Sequence, residues 1–405
     1  MSKNLGDPHL IEDDRSLAGL VDFLEDQPVI AVDTEADGFH SYRDKVCLIQ
    51  VSAAGQDYLI DPLADLDLAP LGPMLADPER TKLFHDSEFD ILILKRDFGF
   101  SFAGLFDTRV AAAVLGSKSP GLAAVLEDHF GVQLDKSMQR SDWSQRPLSP
   151  QQVSYARLDT HYLIDLYHEQ KAALQEADRM MILDTECRRL EGITPPPQEF
   201  RPDDFTRIKG ARTLRPAART ILRELFVLRD RLARERDVPA FRVIANHTMM
   251  ELAEKRPRTL QTLGSIKGCS GLVRSRYGKE ILAAIEGALE LPPIEKWPSG
   301  PRKPGTEYLD EEASELNDRL KQVRKKASDR LGIEAAYLIH RTALERLAVR
   351  RPKAKDAVQE IGDLQGWQMD LFADPLLRTI ADFERDLAAG TALRRPSGRG
   401  PRRRR

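Results

Sequence analysis

Apolar and polar positions follow two rhythms over the first 170 residues. Leu17, Leu20, Val21 and Leu24 recur at i, i+3, i+4 and i+7, which predicts an amphipathic helix over residues 11–27. The run Val29, Ile30, Ala31, Val32 is long enough for a buried strand and too short for a helix. Residues 46–51 predict a second strand after a polar turn, and residues 58–62 a third that stops at Pro62, as in a β-meander. A strand over 82–85 leads into a helix capped by Asp86 or Ser87. Asp107 is placed as the N-cap of a helix over 108–115. Residues 121–130 form a helix ended by Gly131, and Ser149 with Pro150 at the first helical position opens another. Three strands followed by alternating helices and short strands predict an α/β domain.

The pattern changes after residue 170. Residues 171–209 read as a helical extension and a linker containing Pro195, Pro196 and Pro197. Residues 210–290 are helical throughout, with a helix opening at Thr248 and ending before Pro257, and residues 307–390 are helical again beyond a Pro- and Gly-rich linker over 291–306. The two helical segments repeat at an offset of 95: Val238 matches Ile333, Val243 and Ile244 match Leu338 and Ile339, Leu252 and Ala253 match Leu347 and Ala348, and Arg256 and Pro257 match Arg351 and Pro352. Apolar positions dominate these matches, so one fold is expected twice. Residues 391–405 form an Arg-rich tail that cannot build a core and is expected to be disordered and able to meet phosphates.

Composition narrows the classes. A chain of 405 residues implies two or three domains, and no apolar run approaches the ~18 residues of a membrane span. The N-terminus carries no apolar signal core. Cys47, Cys187 and Cys269 are too few and too scattered for a disulfide framework or zinc site, which fits a reducing cytoplasm. The net charge of −3 conceals a split: residues 1–170 sum to −15, 201–290 to +8, 291–390 to −1 and 391–405 to +7. An acidic half joined to basic parts suggests a metal site fed by a polyanion held mainly by the basic parts.

The acidic half holds the candidate chemistry. Asp33 and Glu35 flank Thr34 at the end of the first long strand, so both carboxylates face one side. Their repulsion raises both pKa values unless a cation lies between, and a hard ion such as Mg²⁺ or Mn²⁺ suits oxygen ligands. Asp90 sits among Phe89, Ile91 and Leu92 in the first turns of a helix, either as an exposed position on an amphipathic helix or in a costly place for an unpartnered carboxylate. Tyr155 and Asp159 are i and i+4 on a later helix and share a face. The polar stretch 135–148, with Trp143, Arg140 and Arg146, reads either as a plain surface loop or as one that touches a phosphate backbone.

A strand D-x-E, an Asp at a helix start and Y-x-x-x-D on a later helix together resemble the three exonuclease motifs of the DEDD superfamily, in its tyrosine branch. Residues 48–50 (LIQ), 60–63 (IDPL), 106–108 (FDT) and the segment 135–149 extend the likeness to the ribonuclease D family through about residue 170. Residues 210–290 resemble the HRDC domain found at the C-terminus of that family. The resemblance implies a ribonuclease H-like mixed sheet with flanking helices in residues 1–170, followed by two all-α HRDC-like bundles. It further implies two divalent metal ions, with Asp33 touching both, Glu35 and Asp159 completing the nucleophile's ion, Asp90 serving the other and Tyr155 orienting the water. The sister branch uses a histidine one residue further upstream of the last Asp than Tyr155, where this chain has Ser154; His85 and His161 match no catalytic position of the family. The implied activity is removal of 5′-mononucleotides from RNA 3′ ends, with tRNA precursors or other structured RNA as substrate. A DNA 3′–5′ exonuclease and a non-catalytic nucleic-acid adaptor remain the alternatives, although intact acids argue against the adaptor.

Overall fold

The computed structural model describes residues 5–269, 271–298 and 307–392. The basic tail, apart from Thr391 and Ala392, and the linker positions 299–306 lie outside them. The N-terminal half is built on a six-stranded mixed sheet in the order β1-β4-β3-β2-β5-β6. Its strands are β1 (His9–Ile11), β2 (Val29–Ala36), β3 (Val46–Ala53), β4 (Gln56–Ile60), β5 (Thr81–Phe84) and β6 (Leu105–Asp107). The meander expected over β2, β3 and β4 is present and antiparallel. On the far side β2 pairs in parallel with β5, and β5 with β6, so β2 lies in the middle of the sheet. The short β1 and β6 were not expected: β1 pairs in parallel with β4, and β6 leads directly into the helix that Asp107 caps.

Among the described residues eight helices flank the sheet: α1 (Asp14–Glu25), α2 (Leu71–Ala76), α3 (Glu88–Phe98), α4 (Thr108–Leu115), α5 (Leu122–Phe130), α6 (Pro150–His161), α7 (Leu163–Glu176) and α8 (Met180–Glu191). α1 starts where the Asp13 carboxylate accepts the Ser16 N–H at 2.7 Å in a capping box. It buries Leu17, Leu20 and Leu24, each contributing roughly 1.5–3 kcal/mol by leaving water. β3 is buried along its whole length, and apart from Gln50 and Ser52 its residues are apolar.

Two helical bundles follow. The first comprises α9 (Pro216–Glu235), α10 (Ala240–Val243), α11 (Asn246–Lys255), α12 (Leu260–Gly264) and α13 (Gly271–Glu290). The second comprises α14 (Glu311–Leu331), α15 (Ala335–Leu338), α16 (Arg341–Arg350), α17 (Lys355–Gly362) and α18 (Gly366–Ala388). α10 and α15, and α11 and α16, begin 95 residues apart. Arg256 and Arg351 close α11 and α16 in the left-handed region, at φ 50° and 47°, just before Pro257 and Pro352. An inward-turned arginine also repeats: buried Arg229 donates to the Ile244 carbonyl at 3.2 Å, and half-buried Arg324 to the Ile339 carbonyl at 2.8 Å.

The bundles meet the sheet differently. The first keeps its own core, which includes Phe205, Leu225 and Ile281. The second shares one continuous apolar cluster with the sheet half, running through Ile182, Leu183 and Leu190 of α8 to Leu338, Leu344 and Phe372. Trp367 closes this seam by donating its indole N–H to Thr185 Oγ1 at 3.0 Å.

Candidate active site

β2 delivers Asp33 and Glu35 to one face of the sheet, where both are only partly buried, while Thr34 between them is buried. α3 brings Asp90 to the same place. The chain leaves β5 through Asp86 in the left-handed region at φ 72°, and Ser87 is the N-cap residue of α3 without a side-chain capping bond. The Asp107 carboxylate supplies that role from outside: it accepts the Ser87 N–H and hydroxyl at 2.8 Å each and the Asp86 N–H at 3.1 Å. It also accepts the Arg109 and Val110 N–H groups, capping α4 as expected. One buried carboxylate thus fixes the starts of two helices and sets Asp90, whose Oδ1 accepts the Thr34 hydroxyl.

α6 carries Tyr155 and Asp159. It opens with Ser149 as N-cap, Pro150 at the first position and Gln152 completing a capping box. It is tied to the sheet by Asp57 of β4. That buried carboxylate is ion-paired with Arg157, accepts from His161 Nδ1 at 2.9 Å and from Ser52 Oγ at 2.7 Å, and Ser52 also meets Thr160 Oγ1 at 2.7 Å. Burial alone would raise the Asp57 pKa; the bonds from His161, Ser52 and Arg157 hold it below the usual carboxylate range. His161 therefore works as an anchor for the helix. Tyr155 leans on Trp143 with ring centroids 5.9 Å apart.

Asp33, Glu35, Asp90, Tyr155 and Asp159 line one open cleft of about 670 Å³, together with Thr34, His85, Asp86, Phe89, Arg109, Lys136 and Gln139 among others. All five residues singled out from sequence meet there. Burial, and then the charges of Asp90, Asp159 and Glu35, push the Asp33 pKa far up. Burial and the charges of Asp159 and Asp90 raise Glu35 to about 9. Asp90 and Asp159 rise to about 7, chiefly through burial. Burial and then Asp159, Glu35 and Asp33 drive the Tyr155 hydroxyl well above its ordinary value, so it stays protonated and able to donate.

Sequence reasoning assigned no role to several residues in or beside the cleft. Arg109 is paired with Asp86 at 3.5 Å and donates to the Tyr337 hydroxyl of the second bundle at 3.2 Å. Gln50, the β3 partner of Asp33 and so on the same face, is buried with both polar side-chain atoms unpartnered. His85 bonds Thr108 Oγ1 through Nδ1 at 2.9 Å, and burial lowers its pKa to about 4, which keeps it neutral. None of these has a spacing signature, because each depends on contacts between distant segments.

The 135–148 stretch is corrected in one respect. Trp143 is buried, and Arg146 turns inward: it forms an ion pair with Asp61, a 2.6 Å bond to the Cys47 carbonyl and a 2.8 Å bond to the Trp143 carbonyl. Its charge is consumed inside the fold, whereas Arg140 remains exposed. Similarly, part of the positive charge of α9 is spent internally, in the pairs Arg223–Asp203, Arg231–Glu280 and Arg234–Asp230.

A family model described as 3′–5′ exonuclease matches residues 8–175, and one for the HRDC domain matches residues 218–285 and 314–380. The sheet half, its acid-lined cleft and the paired helical bundles thus define a 3′–5′ exonuclease carrying HRDC modules. The chain is 31% identical over 381 residues to the ribonuclease D of Gluconacetobacter diazotrophicus, covering 92% of each, and 33% identical over 288 residues to that of Escherichia coli, covering 70% of this chain and 75% of the relative. The crystal structure of Escherichia coli RNase D, described as an exoribonuclease involved in structured RNA processing, superposes with a TM-score of 0.65 at 29% identity, covering 93% of this chain and 99% of that one. The chain belongs to the ribonuclease D family and is a hydrolytic 3′–5′ exoribonuclease.

Membership implies dependence on divalent metal ions. The cleft suits them in donor chemistry: its acids are hard oxygen ligands, and their mutual repulsion is relieved by a cation. Among the described residues no three His, Cys, Asp or Glu already stand as a group ready to hold an ion. No helix among the described residues is long and apolar enough to cross a membrane.

Proposed function

We propose that the cleft between β2, α3 and α6 is where RNA is hydrolysed from its 3′ end, and that Asp33, Glu35, Asp90 and Asp159 hold two divalent ions there, Mg²⁺ or Mn²⁺. The observation that carries this reading is the convergence of four carboxylates of raised pKa and one protonated phenol on a single cleft. When bound, such ions supply an activated water and neutralise charge developing on the phosphate. The chain's own groups do the rest. Tyr155, protonated and backed by Trp143, donates a hydrogen bond that orients the attacking water. Arg109 and Lys136, cations on the cleft wall, meet the phosphates of the incoming strand. Asp107 and Asp57 touch no substrate; they fix the helices that carry Asp90, Tyr155 and Asp159.

Residues 1–170 carry the chemistry in this reading, and the segments 210–290 and 307–390 with the tail 391–405 help hold the RNA. The substrate class is structured RNA with a free 3′ end, tRNA precursors foremost, in accord with the description of the Escherichia coli relative. The free, buried Cys47, Cys187 and Cys269 fit a reducing cytoplasm. The test compares one RNA with a 3′-hydroxyl, a 3′-phosphate and a circular backbone. The 3′-hydroxyl form is degraded to 5′-mononucleotides, the 3′-phosphate form far more slowly and the circle not at all; internal cleavage of the circle would contradict terminal attack.

A further inference from the structure

The polar turn that follows β2 carries an aromatic residue, Phe39, that the proposed chemistry does not use. Phe39 is 46% exposed, and across the junction with the first bundle Phe241 of α10 is 53% exposed. Their rings meet edge to face at 6.4 Å. The Arg140 guanidinium lies over the Phe39 ring at 5.5 Å, and Arg242 reaches His40 Nδ1 at 3.5 Å. Both arginines are exposed. Asp142 faces His40 Nδ1 at 3.5 Å and accepts the Ser144 hydroxyl at 2.6 Å. Exposed phenyl rings usually find cover, and here two from distant segments share one patch with two cations.

The patch adjoins the cleft along the chain. Phe39 comes four residues after Glu35, so their Cα atoms are at most ~14 Å apart. Arg140 directly follows Gln139, which lines the cleft. The repeat sharpens the point. At the offset of 95, Phe241 and Arg242 correspond to Ala336 and Tyr337. The equivalent short helix of each bundle therefore meets the sheet half, α15 through Tyr337 on Arg109 and α10 through Arg242 on His40. Only the first turn presents a ring to solvent beside a second ring.

We infer that Phe39, Phe241, Arg140 and Arg242 form a stacking platform for single-stranded RNA, gripping nucleotides several positions upstream of the 3′ end held in the cleft. Aromatic faces interleaved with guanidinium groups accept successive bases without regard to sequence and pair with the backbone between them. A platform built across two parts of the molecule measures strand length: a strand long enough to span cleft and patch is held at both. This inference rests on the cleft being the site of hydrolysis, and its test reads binding apart from turnover.

The probe is a 5′-fluorescein-labelled 16-residue oligoadenylate, bound to the full-length protein in EDTA and followed by anisotropy. A stacked base is worth ~1–3 kcal/mol, so Phe39→Ala with Phe241→Ala weakens binding at least ~5-fold. Phe39→Trp with Phe241→Trp restores it. The aromatic double variant keeps the wild-type salt slope, because it loses no phosphate contact, whereas Arg140→Ala with Arg242→Ala flattens the slope. With Mg²⁺ present, the aromatic variant degrades a dinucleotide, which fills the cleft end alone, at the wild-type rate. Binding of the 16-mer within twofold of wild type overturns the platform. A lowered melting temperature with unchanged binding overturns it equally, since the rings then serve only as a staple between the two parts. Loss of hydrolysis by the wild type itself would count against the cleft and not the patch.

Discussion

Glu35 offers a direct reading of the strain that the cleft places on its acids. Its pKa is about 9 in the fold against an ordinary 4.5, and each unit is ~1.36 kcal/mol of difference between protonation states. The sign follows from proton uptake. Between pH 4.5 and 9 the folded protein keeps a proton on Glu35 that the unfolded chain releases, so stability falls as pH rises through this window and levels off above it. At pH 7 the penalty is about 3 kcal/mol, and at pH 5 below about 1 kcal/mol. Glu35→Gln keeps the shape and removes the titration. In EDTA the variant should therefore gain on wild type by ~1.4 kcal/mol per pH unit between pH 5 and 8. Urea unfolding read through hydrogen exchange of β2 and α6 separates this half from the bundles. Divalent ions should offset the wild-type penalty and leave the Gln variant nearly unmoved. Parallel pH profiles for the two proteins would show that Glu35 ionises freely and that the acids do not crowd one another.

Two further outcomes concern the supports. Asp57→Ala removes the common partner of Arg157, His161 and Ser52. It should destabilise the protein by ~3–5 kcal/mol and lower kcat by misplacing Tyr155 and Asp159, measured by unfolding and by hydrolysis of a short RNA; a loss of stability with an unchanged kcat would show that the anchor does not position the helix. Ending the chain after residue 306 uncovers Ile182, Leu183 and Leu190, which the second bundle shares as core. That truncation should melt well below the full chain and expose apolar surface to a hydrophobic dye, and an unchanged melting temperature would contradict the shared core.

Much of this site was legible because its acids occur on elements with strong local signatures. The run from Val29 to Val32 announces a strand, and the period of two then places Asp33 and Glu35 on one face. Ser149, Pro150 and Gln152 mark the start of α6, which puts Tyr155 and Asp159 one turn apart. The Asp107 cap was also readable, though not its second task of holding Ser87 and Asp86. What stayed hidden is non-local. β1 and β6 have three residues each, too few for a period to register, and exist through pairing with β4 and β5. Arg146 looks like a phosphate ligand in its polar segment; only the fold shows Asp61 waiting for it. The sum of +8 over 201–290 likewise could not show which arginines of α9 face Asp203, Asp230 and Glu280. The offset of 95 implied a repeated bundle but could not reveal that the second copy shares its core with the sheet half.

The central claim, that the four acids of the cleft perform the hydrolysis, is tested most directly through Asp33. The assay follows a 5′-labelled single-stranded RNA with a free 3′-hydroxyl in the presence of Mg²⁺, for the wild type and Asp33→Asn, with circular dichroism to confirm the fold. The wild type should shorten the strand one nucleotide at a time. The variant should stay folded and lose at least ~10²-fold in rate, the scale on which removing one transition-state stabiliser acts. A folded Asp33→Asn protein that degrades the RNA at the wild-type rate would contradict the assignment of this cleft as the active site.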